Sequence, residues 1–211
     1  MRHQRELTLS VTCFLLAFLC SMIWLRQKEE NMAGRISGDI LRFHVLANSN
    51  TREDQELKVQ VKTFLLEELA DTGADSKEEY CGYVTEHREE LEEAAREFME
   101  RMGYSYEAEI TVGESYFPAK AYGDIVLPMG VYDAVNVRLG DGRGRNWWCV
   151  LYPRLCFVDA EHGVVPEESK ELLRELLGDE TFWGLVDERR GMGNVKVRFW
   201  LQEMAEKIFE G

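Results

Sequence analysis

The chain has 211 residues, a length that suits one domain with its own hydrophobic core. Its 39 Asp and Glu residues outnumber its 25 Lys and Arg residues, and the formal net charge is -14. A nucleic-acid-binding protein normally shows a clustered basic face, so this charge argues against a nucleic-acid partner. The same charge would be repelled by an anionic membrane surface, so any membrane attachment must come from an apolar segment.

Such a segment lies at the N-terminus. Arg2 and Arg5 precede an apolar run over residues 7–25, and Arg26 and Lys28 follow it. A helix rises about 1.5 Å per residue, so this run nearly spans a hydrocarbon core of about 30 Å. The basic flanks and the N-terminal position are typical of a segment that directs export.

Residues 1–28 are therefore predicted to be a signal peptide or an uncleaved transmembrane anchor. No clear pair of small residues marks a cleavage site after the run, which favours the anchor. In both cases we predict a linker over residues 29–39 and a single extracytoplasmic domain over residues 40–211.

The domain begins with a strand and a helix. Residues 40–46 alternate in the manner of a strand, with Leu41, Phe43 and Val45 on one face and Ile40, Arg42, His44 and Leu46 on the other. After the NSNT cluster, Thr51 and Asp54 resemble a capping box with Asp in the usual Glu place. A helical spacing follows in Leu57, Val61, Phe64, Leu65 and Leu69.

The remaining periodicities predict further helices and strands. One long helix is predicted over residues 76–102, with a stripe formed by Tyr80, Val84, His87, Leu91, Ala94, Ala95, Phe98 and Met102. Strands are predicted over residues 106–112, 125–127, 131–139 and 147–151, and helices over residues 167–177 and 195–209. Helices packed on a mainly antiparallel sheet make an α+β fold.

Two cysteines flank a turn signal in the exported part of the chain. Cys149 and Cys156 lie on either side of the sequence Tyr-Pro-Arg-Leu, so a turn could bring them within disulfide range. We predict a disulfide between them, and a pair of buried thiols is the alternative. A metal site is not predicted, because CxxC spacing and paired histidines are absent from the sequence.

The sequence offers little for catalysis. Gly140, Gly142 and Gly144 match neither a P-loop nor a dinucleotide fingerprint, and we expect a flexible hairpin loop there. A thiol nucleophile at Cys149 would need His44 or His162 as its base and an orienting amide, for which the candidates are Asn48, Asn136 and Asn146. No cofactor is predicted.

Three stretches carry a resemblance to a known family. They are RFHVLANSNTREDQELKVQVK (residues 42–62), YFPAKAYGDIVLPMGVYDAVNVRLGDGRGRNWWCVLYPRLCFVD (residues 116–159) and KVRFWL (residues 196–201). On these residues the chain resembles the stage II sporulation protein R family, the secreted signalling proteins of endospore-forming bacteria. The stretch over residues 70–102 carries no such signature.

The resemblance implies a function that the residues alone do not give. Members of the family are made in the forespore, cross its membrane and act on a membrane-embedded aspartic protease of the mother cell, which then processes a sigma-factor precursor. Such a chain is a protein ligand and not an enzyme, and it would shift the protease towards its active form. We expect export to the intermembrane space and membrane association through the N-terminal helix.

The contacts with that partner are expected in three segments, the NSNTREDQ loop and residues 120–123 and 143–148. The residues assigned to them are Asn48, Asp54, Gln55, Lys58, Lys120, Tyr122, Asn146 and Trp148. Without the resemblance, Asp54 and Lys58 could simply form an ion pair on the helix surface. An exported hydrolase with a Cys149 nucleophile and a structural protein of the cell envelope remain as alternatives.

Overall fold

The computed structural model describes residues 2–156 and 165–186. It confirms the α+β fold. In chain order the elements are α1 (Arg2–Ile36), β1 (Leu41–Leu46), α2 (Arg52–Ala70), α3 (Lys77–Glu86), α4 (Arg88–Arg101), β2 (Ala108–Phe117), β3 (Lys120–Tyr122), β4 (Ile125–Leu127), β5 (Gly130–Leu139), β6 (Asn146–Tyr152), α5 (Glu167–Leu177) and α6 (Asp179–Leu185). The helix predicted over residues 195–209, the KVRFWL stretch and His162 lie outside the described residues.

The main sheet has four strands in the order β2-β5-β1-β6. The two outer strands run antiparallel to their neighbours, as predicted, whereas β1 and β5 are parallel. The sequence did not predict the parallel pair, because a long stretch of chain separates the two strands and pairing over that distance leaves no periodic signal. A separate hairpin joins β3 to β4.

One face of the sheet is covered by α2, α3 and α4. Leu41, Phe43 and Val45 point into this first core, as the alternation along β1 predicts. The helices contribute Leu57, Val61, Leu65, Leu69, Tyr80, Val84, Leu91, Ala95 and Met99, all of them buried. Truncating a buried leucine to alanine typically costs about 2–5 kcal/mol, so this core is a large part of what holds the helices to the sheet.

The other face is covered along only half of its length. The end of α1, the β3-β4 hairpin, α5 and α6 pack on Tyr132, Ala134 and Val150. This second core also contains Ala33, Ile36, Ile40, Phe117, Ile125, Leu127, Leu173, Phe182 and Leu185. Towards the C-terminal ends of β1 and β5, the side chains on this face are exposed or half-buried.

The long helix α1 joins the apolar N-terminal run to the folded body. Residues 29–39 were predicted to be a linker, but α1 continues to Ile36, and Ala33 and Ile36 are fully buried. Lys77 Nζ donates to the carbonyl oxygens of Ser37 and Gly38 at 2.9 and 2.8 Å. These carbonyls follow the last turn of α1, where a cation is favoured. Much of the expected linker is thus an element of the body.

The helix predicted over residues 76–102 is two helices. The break is at His87, which has φ -103 and ψ 22 and which ends α3 and begins α4. Its ring stacks on Tyr83 and its Nδ1 lies 3.0 Å from the Tyr83 carbonyl oxygen. Beyond the break, Leu91 and Ala95 of the predicted stripe are buried, whereas Met102, which follows the last residue of α4, is 38% exposed. The predicted stop at Gly103 is confirmed by its φ of +88.

Candidate partner-binding site

The uncovered half of the second face consists of two rows of side chains. Cross-strand pairing from β2 to β6 aligns one row as Thr111, Asn136, His44 and Trp148, and the next as Glu109, Arg138, Leu46 and Asn146. All eight side chains are exposed or half-buried, and we call them the open face. The preceding row includes Arg42, Ala134 and Val150, which are completely buried under the second core. The sheet therefore changes from a buried to an open surface within two residues of β1.

His44 lies at the centre of the open face. Its ring stacks on the indole of Trp148, with the ring centroids 4.0 Å apart and the planes 11° apart. Its Nε2 lies 2.7 Å from Asn146 Oδ1 and its Nδ1 lies 3.3 Å from Asn136 Oδ1. Ser115 Oγ in turn donates to Asn136 Oδ1 at 2.9 Å. The imidazole is thereby held in one orientation, so the open face presents a prearranged polar surface.

Beneath the open face, Arg42 lies among aromatic rings. Its guanidinium carbon is 4.3 Å from the ring centroid of Phe117 and 4.9 Å from that of Tyr132. Its Nη2 donates to the Tyr122 hydroxyl at 3.1 Å, and that hydroxyl donates to the Trp148 carbonyl oxygen at 3.2 Å. Burial lowers the pKa of Arg42, although the two tyrosines act in the opposite direction. This buried cage fixes the strand that carries Trp148.

Two loops meet at the end of the open face. Residues 47–51 follow β1 and residues 140–145 follow β5, and both leave the same sheet edge because these strands are parallel. The Arg143 amide donates to the Asn48 carbonyl oxygen at 2.9 Å. The glycine-rich segment is therefore not the flexible hairpin loop that was expected. It crosses the end of β1, because β1 lies between β5 and β6 in the sheet. We call these two segments the loop pair.

The Asn48 side chain joins the loop pair to α2. Its Nδ2 donates to Asp54 Oδ2 at 2.9 Å, and its Oδ1 accepts from the Asp141 amide at 2.9 Å. Gly140 has φ +53, and a Cβ at that position would lie 2.4 Å from Asn48 Oδ1. A residue with a side chain is therefore disfavoured there both by its backbone conformation and by the close approach of Asn48.

Thr51 begins α2 as its N-cap and accepts from the Asp54 amide at 3.3 Å, as predicted. The predicted capping box is not closed, because the Asp54 carboxylate binds Asn48 and the Thr51 amide donates to Ser49 Oγ. Burial acts to raise the pKa of Asp54, but hydrogen bonds from Ser49, Asn48, Tyr106 and Thr51 outweigh it and the pKa is lowered. The network therefore stabilises the ionised carboxylate.

Gln55 and Lys58 hold the two loops from the side of α2. Gln55 Nε2 donates to the Ser49 carbonyl oxygen at 2.8 Å. Lys58 Nζ donates to Gln55 Oε1 at 2.7 Å and to the Arg145 carbonyl oxygen at 3.0 Å, instead of forming a surface ion pair with Asp54. Burial lowers the pKa of Lys58, and the Arg145 charge adds to this effect. Lys58 is only 5% exposed, so its contacts serve to position the loop pair.

The eight residues expected to bind the partner fall into three groups. Asn48, Asp54, Gln55 and Lys58 belong to the loop pair and its support, and Asn146 and Trp148 belong to the open face. Tyr122 lies beneath Trp148, and Lys120 is exposed on the hairpin. His44 and Asn136, at the centre of the open face, were not among the eight. A polar residue in the middle of a buried strand was the signal that could have identified His44.

Cys149 and Cys156 form a disulfide with their Cα atoms 5.5 Å apart. Cys149 pairs with Phe43 and Trp148 pairs with His44, so Cys149 lies on the sheet face opposite His44. Cys149 and His44 are therefore not brought together, and His162, the other candidate base, lies outside the described residues. Within residues 2–156 and 165–186, no group of three or more His, Cys, Asp or Glu residues could hold a metal ion.

Comparisons with known proteins point to one family. A family model described as Stage II sporulation protein R matches residues 37–162, a range that includes the whole open face and the loop pair. The chain is 35% identical over 195 residues to a protein of Bacillus subtilis (strain 168) named Stage II sporulation protein R, and the match covers 87% of each chain. No solved structure matches.

Proposed function

Because the chain belongs to the stage II sporulation protein R family, we propose that it is an extracytoplasmic signal that activates a membrane-embedded aspartic protease during sporulation. The chain crosses the forespore membrane and binds the protease of the mother cell from the intermembrane space. The active protease then processes a sigma-factor precursor. The sporulation role follows from the family.

The observation that carries the proposal is the open face. A four-stranded sheet normally buries both faces or leaves one fully solvated, whereas here one face changes from buried to open partway along the strands. The open half has a half-buried tryptophan at one side and hydrogen-bonded amides around His44. Tryptophan is enriched among residues that dominate protein interfaces, and prearranged polar groups lose little side-chain entropy on binding.

Activation by such a ligand is a shift of population. The chain must bind the active form of the protease more tightly than the inactive form, and each tenfold difference in affinity supplies about 1.4 kcal/mol. A rigid surface suits this role, because a surface that adapted to both forms would favour neither. The buried Arg42 cage and the loop pair supply this rigidity from below and from one end.

The test is a reconstitution in a non-sporulating host. The chain is co-produced with its cognate protease and sigma-factor precursor, and precursor cleavage is followed. Thr111→Arg places a long charged side chain on the open face, and Thr63→Arg makes the same change on an exposed position of α2. We expect Thr111→Arg to abolish cleavage and Thr63→Arg to leave it unchanged at equal protein levels. Equal cleavage with both variants would exclude the open face as the contact.

A second set of variants separates the open face from the loop pair. Trp148→Ala removes the indole, and Asn48→Ala and Asp54→Asn weaken the loop network; we expect each to reduce cleavage. Cleavage that survives Cys149→Ser would exclude thiol catalysis. If the wild-type chain is exported but no cleavage occurs, the protease partner is wrong and a structural role in the cell envelope becomes the better explanation.

A further inference from the structure

Helix α1 attaches the body rigidly to the apolar N-terminal run. The run ends at Leu25, but the helix continues without a break into the second core through Ala33 and Ile36. A Cβ at Gly130 of β5 would lie 2.3 Å from Ala33 Cβ, so the helix and the strand are in close contact. The orientation of the body relative to the apolar run is thus set by packing and not by a flexible linker.

The body begins at the level where the apolar run ends. The 19 residues from 7 to 25 make a helix of about 28 Å, close to the thickness of a hydrocarbon core. It belongs to the one helix in the described part of the chain that is long and apolar enough to cross a membrane, and its apolar segment is not buried in the body. Leu25 already lines a groove with Val126, Pro128 and Leu185 of the body. If the run lies in a bilayer, these residues are at the headgroup level.

Three of the exposed apolar side chains of the body lie around the same level. Outside α1, the large exposed hydrophobic residues in the described chain are Val59, Met102, Tyr116, Val131 and Trp183. Tyr116 interacts with Arg26, the residue that follows the apolar run, and Val131 is its cross-strand partner. Trp183 precedes Gly184 and Leu185, which line the groove with Leu25.

We propose that Tyr116, Val131 and Trp183 form a membrane-contacting rim that lies in the headgroup layer of the membrane crossed by α1. Tyrosine and tryptophan favour this layer because an apolar ring and a polar group are satisfied there together. The rim is apolar while the chain carries a net charge of -14, so the contact does not depend on anionic lipid. The open face is thereby held at a fixed height and tilt above the membrane.

This inference requires that α1 stays attached, but it does not require the protease partner. The two proposals can therefore fail separately. A rim that contacts lipid in vesicles containing only this chain supports the rim, whatever the reconstitution with the protease shows. Loss of precursor cleavage in an open-face variant, in contrast, gives no information about the rim.

The test measures the depth of single probes in vesicles. In the full chain, Cys13, Cys20 and Cys81 are replaced by alanine and the Cys149–Cys156 disulfide is kept. An environment-sensitive fluorophore is attached at Tyr116→Cys, Val131→Cys or Trp183→Cys, and at Val59→Cys or Met102→Cys as controls of similar exposure. The chain is reconstituted into phosphatidylcholine vesicles with a spin-label quencher near the headgroup.

We expect several-fold stronger quenching at the three rim positions than at the two controls. Quenching should persist when the ionic strength rises from about 0.01 to about 1 M, a change that shortens the Debye length from about 30 to about 3 Å. Equal quenching at rim and control positions would overturn the proposal, as would loss of rim quenching at high salt. If the fluorophores at the rim positions become shielded from water only after the protease is added, the rim contacts protein and not lipid, and the proposal is overturned.

The mature N-terminus supplies an independent check in cells. The chain recovered from sporulating cells is sequenced from its N-terminus. We expect the N-terminus at or near Met1, because the rim can lie in the headgroup layer only if the membrane-spanning part of α1 is retained. A start beyond Leu25 would overturn the proposal for the native protein, even though the part of α1 that packs in the second core would still be present.

Discussion

Arg42 and His44 lie two residues apart on the same face of β1, and their surroundings are opposite. Arg42 is fully buried among Phe117, Tyr122 and Tyr132, and no carboxylate pairs with it in the described part of the chain. His44 is half-buried on the open face between two amides and an indole. What separates them is the cover supplied by α1 and the hairpin, and not a difference in the strand.

The two halves of the face have different roles. In the covered half, burial raises the pKa of Tyr122 although Arg42 acts to lower it, and the hydroxyl stays neutral and bridges Arg42 to the Trp148 carbonyl oxygen. In the open half, the polar groups are fixed but accessible. The covered half is thus a support, and the open half is the surface available to a partner.

The largest expected effect on stability comes from truncating Arg42, the side chain at the centre of the covered half. Arg42→Ala leaves a cavity beneath Trp148, so we expect the free energy of unfolding to fall by about 3–5 kcal/mol. Arg42→Met keeps most of the volume and removes a buried Nη1 that has no partner. It loses hydrogen bonds that typically contribute about 1 kcal/mol each, so we expect a fall of only about 1–2 kcal/mol. Denaturant unfolding of the full chain in detergent micelles measures both.

Equal losses in the two Arg42 variants would contradict this view. They would show that the charge and its contacts with the rings stabilise the cage, and that the volume of the side chain matters little. The covered half would then depend on a cation in an aromatic environment, an interaction worth about 2 kcal/mol or more when desolvated.

The next largest effect on stability is expected in the loop pair, which lies at the end of the open half. Gly140→Ala places a side chain at φ +53 against Asn48, whereas Gly73→Ala makes the same change at φ +70 with no atom within 4 Å. A left-handed conformation costs a residue with a side chain about 1–2 kcal/mol, and the contact with Asn48 adds to this at Gly140. We expect the unfolding free energy to fall about 1 kcal/mol more for Gly140→Ala than for Gly73→Ala. Equal losses of unfolding free energy for the two variants would mean that the loop adjusts to the new side chain at no energetic cost.

The sequence predicted the two faces of β1 and the N-cap of α2 correctly, because both depend on neighbouring residues. The alternation places Leu41, Phe43 and Val45 together on one face, and Thr51 identifies the helix start. The burial of Arg42 and the openness around His44 could not be predicted in the same way. They depend on which distant elements cover the face, and the parallel pairing of β1 with β5 brings the loop pair together from residues almost one hundred positions apart.

A smaller effect on stability is expected in the open half, with a large effect on signalling. His44→Ala removes a stacked pair worth about 0.5–1.5 kcal/mol and hydrogen bonds near the surface. His87→Ala is a matched control, because His87 also stacks on an aromatic ring, that of Tyr83, in the helical layer. We expect similar losses of unfolding free energy but loss of precursor cleavage for His44→Ala alone. Normal cleavage with both variants would remove His44 from the contact.

The smallest effect is a pH dependence at the edge of the open half. The folded state lowers the pKa of Asp54 from its ordinary value of 3.8, so this carboxylate adds stability above that value, and the stability is lost as the pH falls towards the lower folded pKa. The free-energy difference between the wild-type chain and Asp54→Asn should therefore shrink below about pH 4. If the Asp54→Asn difference stays constant with pH, the hydrogen bonds to Asn48 and Thr51 do not favour the ionised form, and the loop pair is held by its backbone contacts alone.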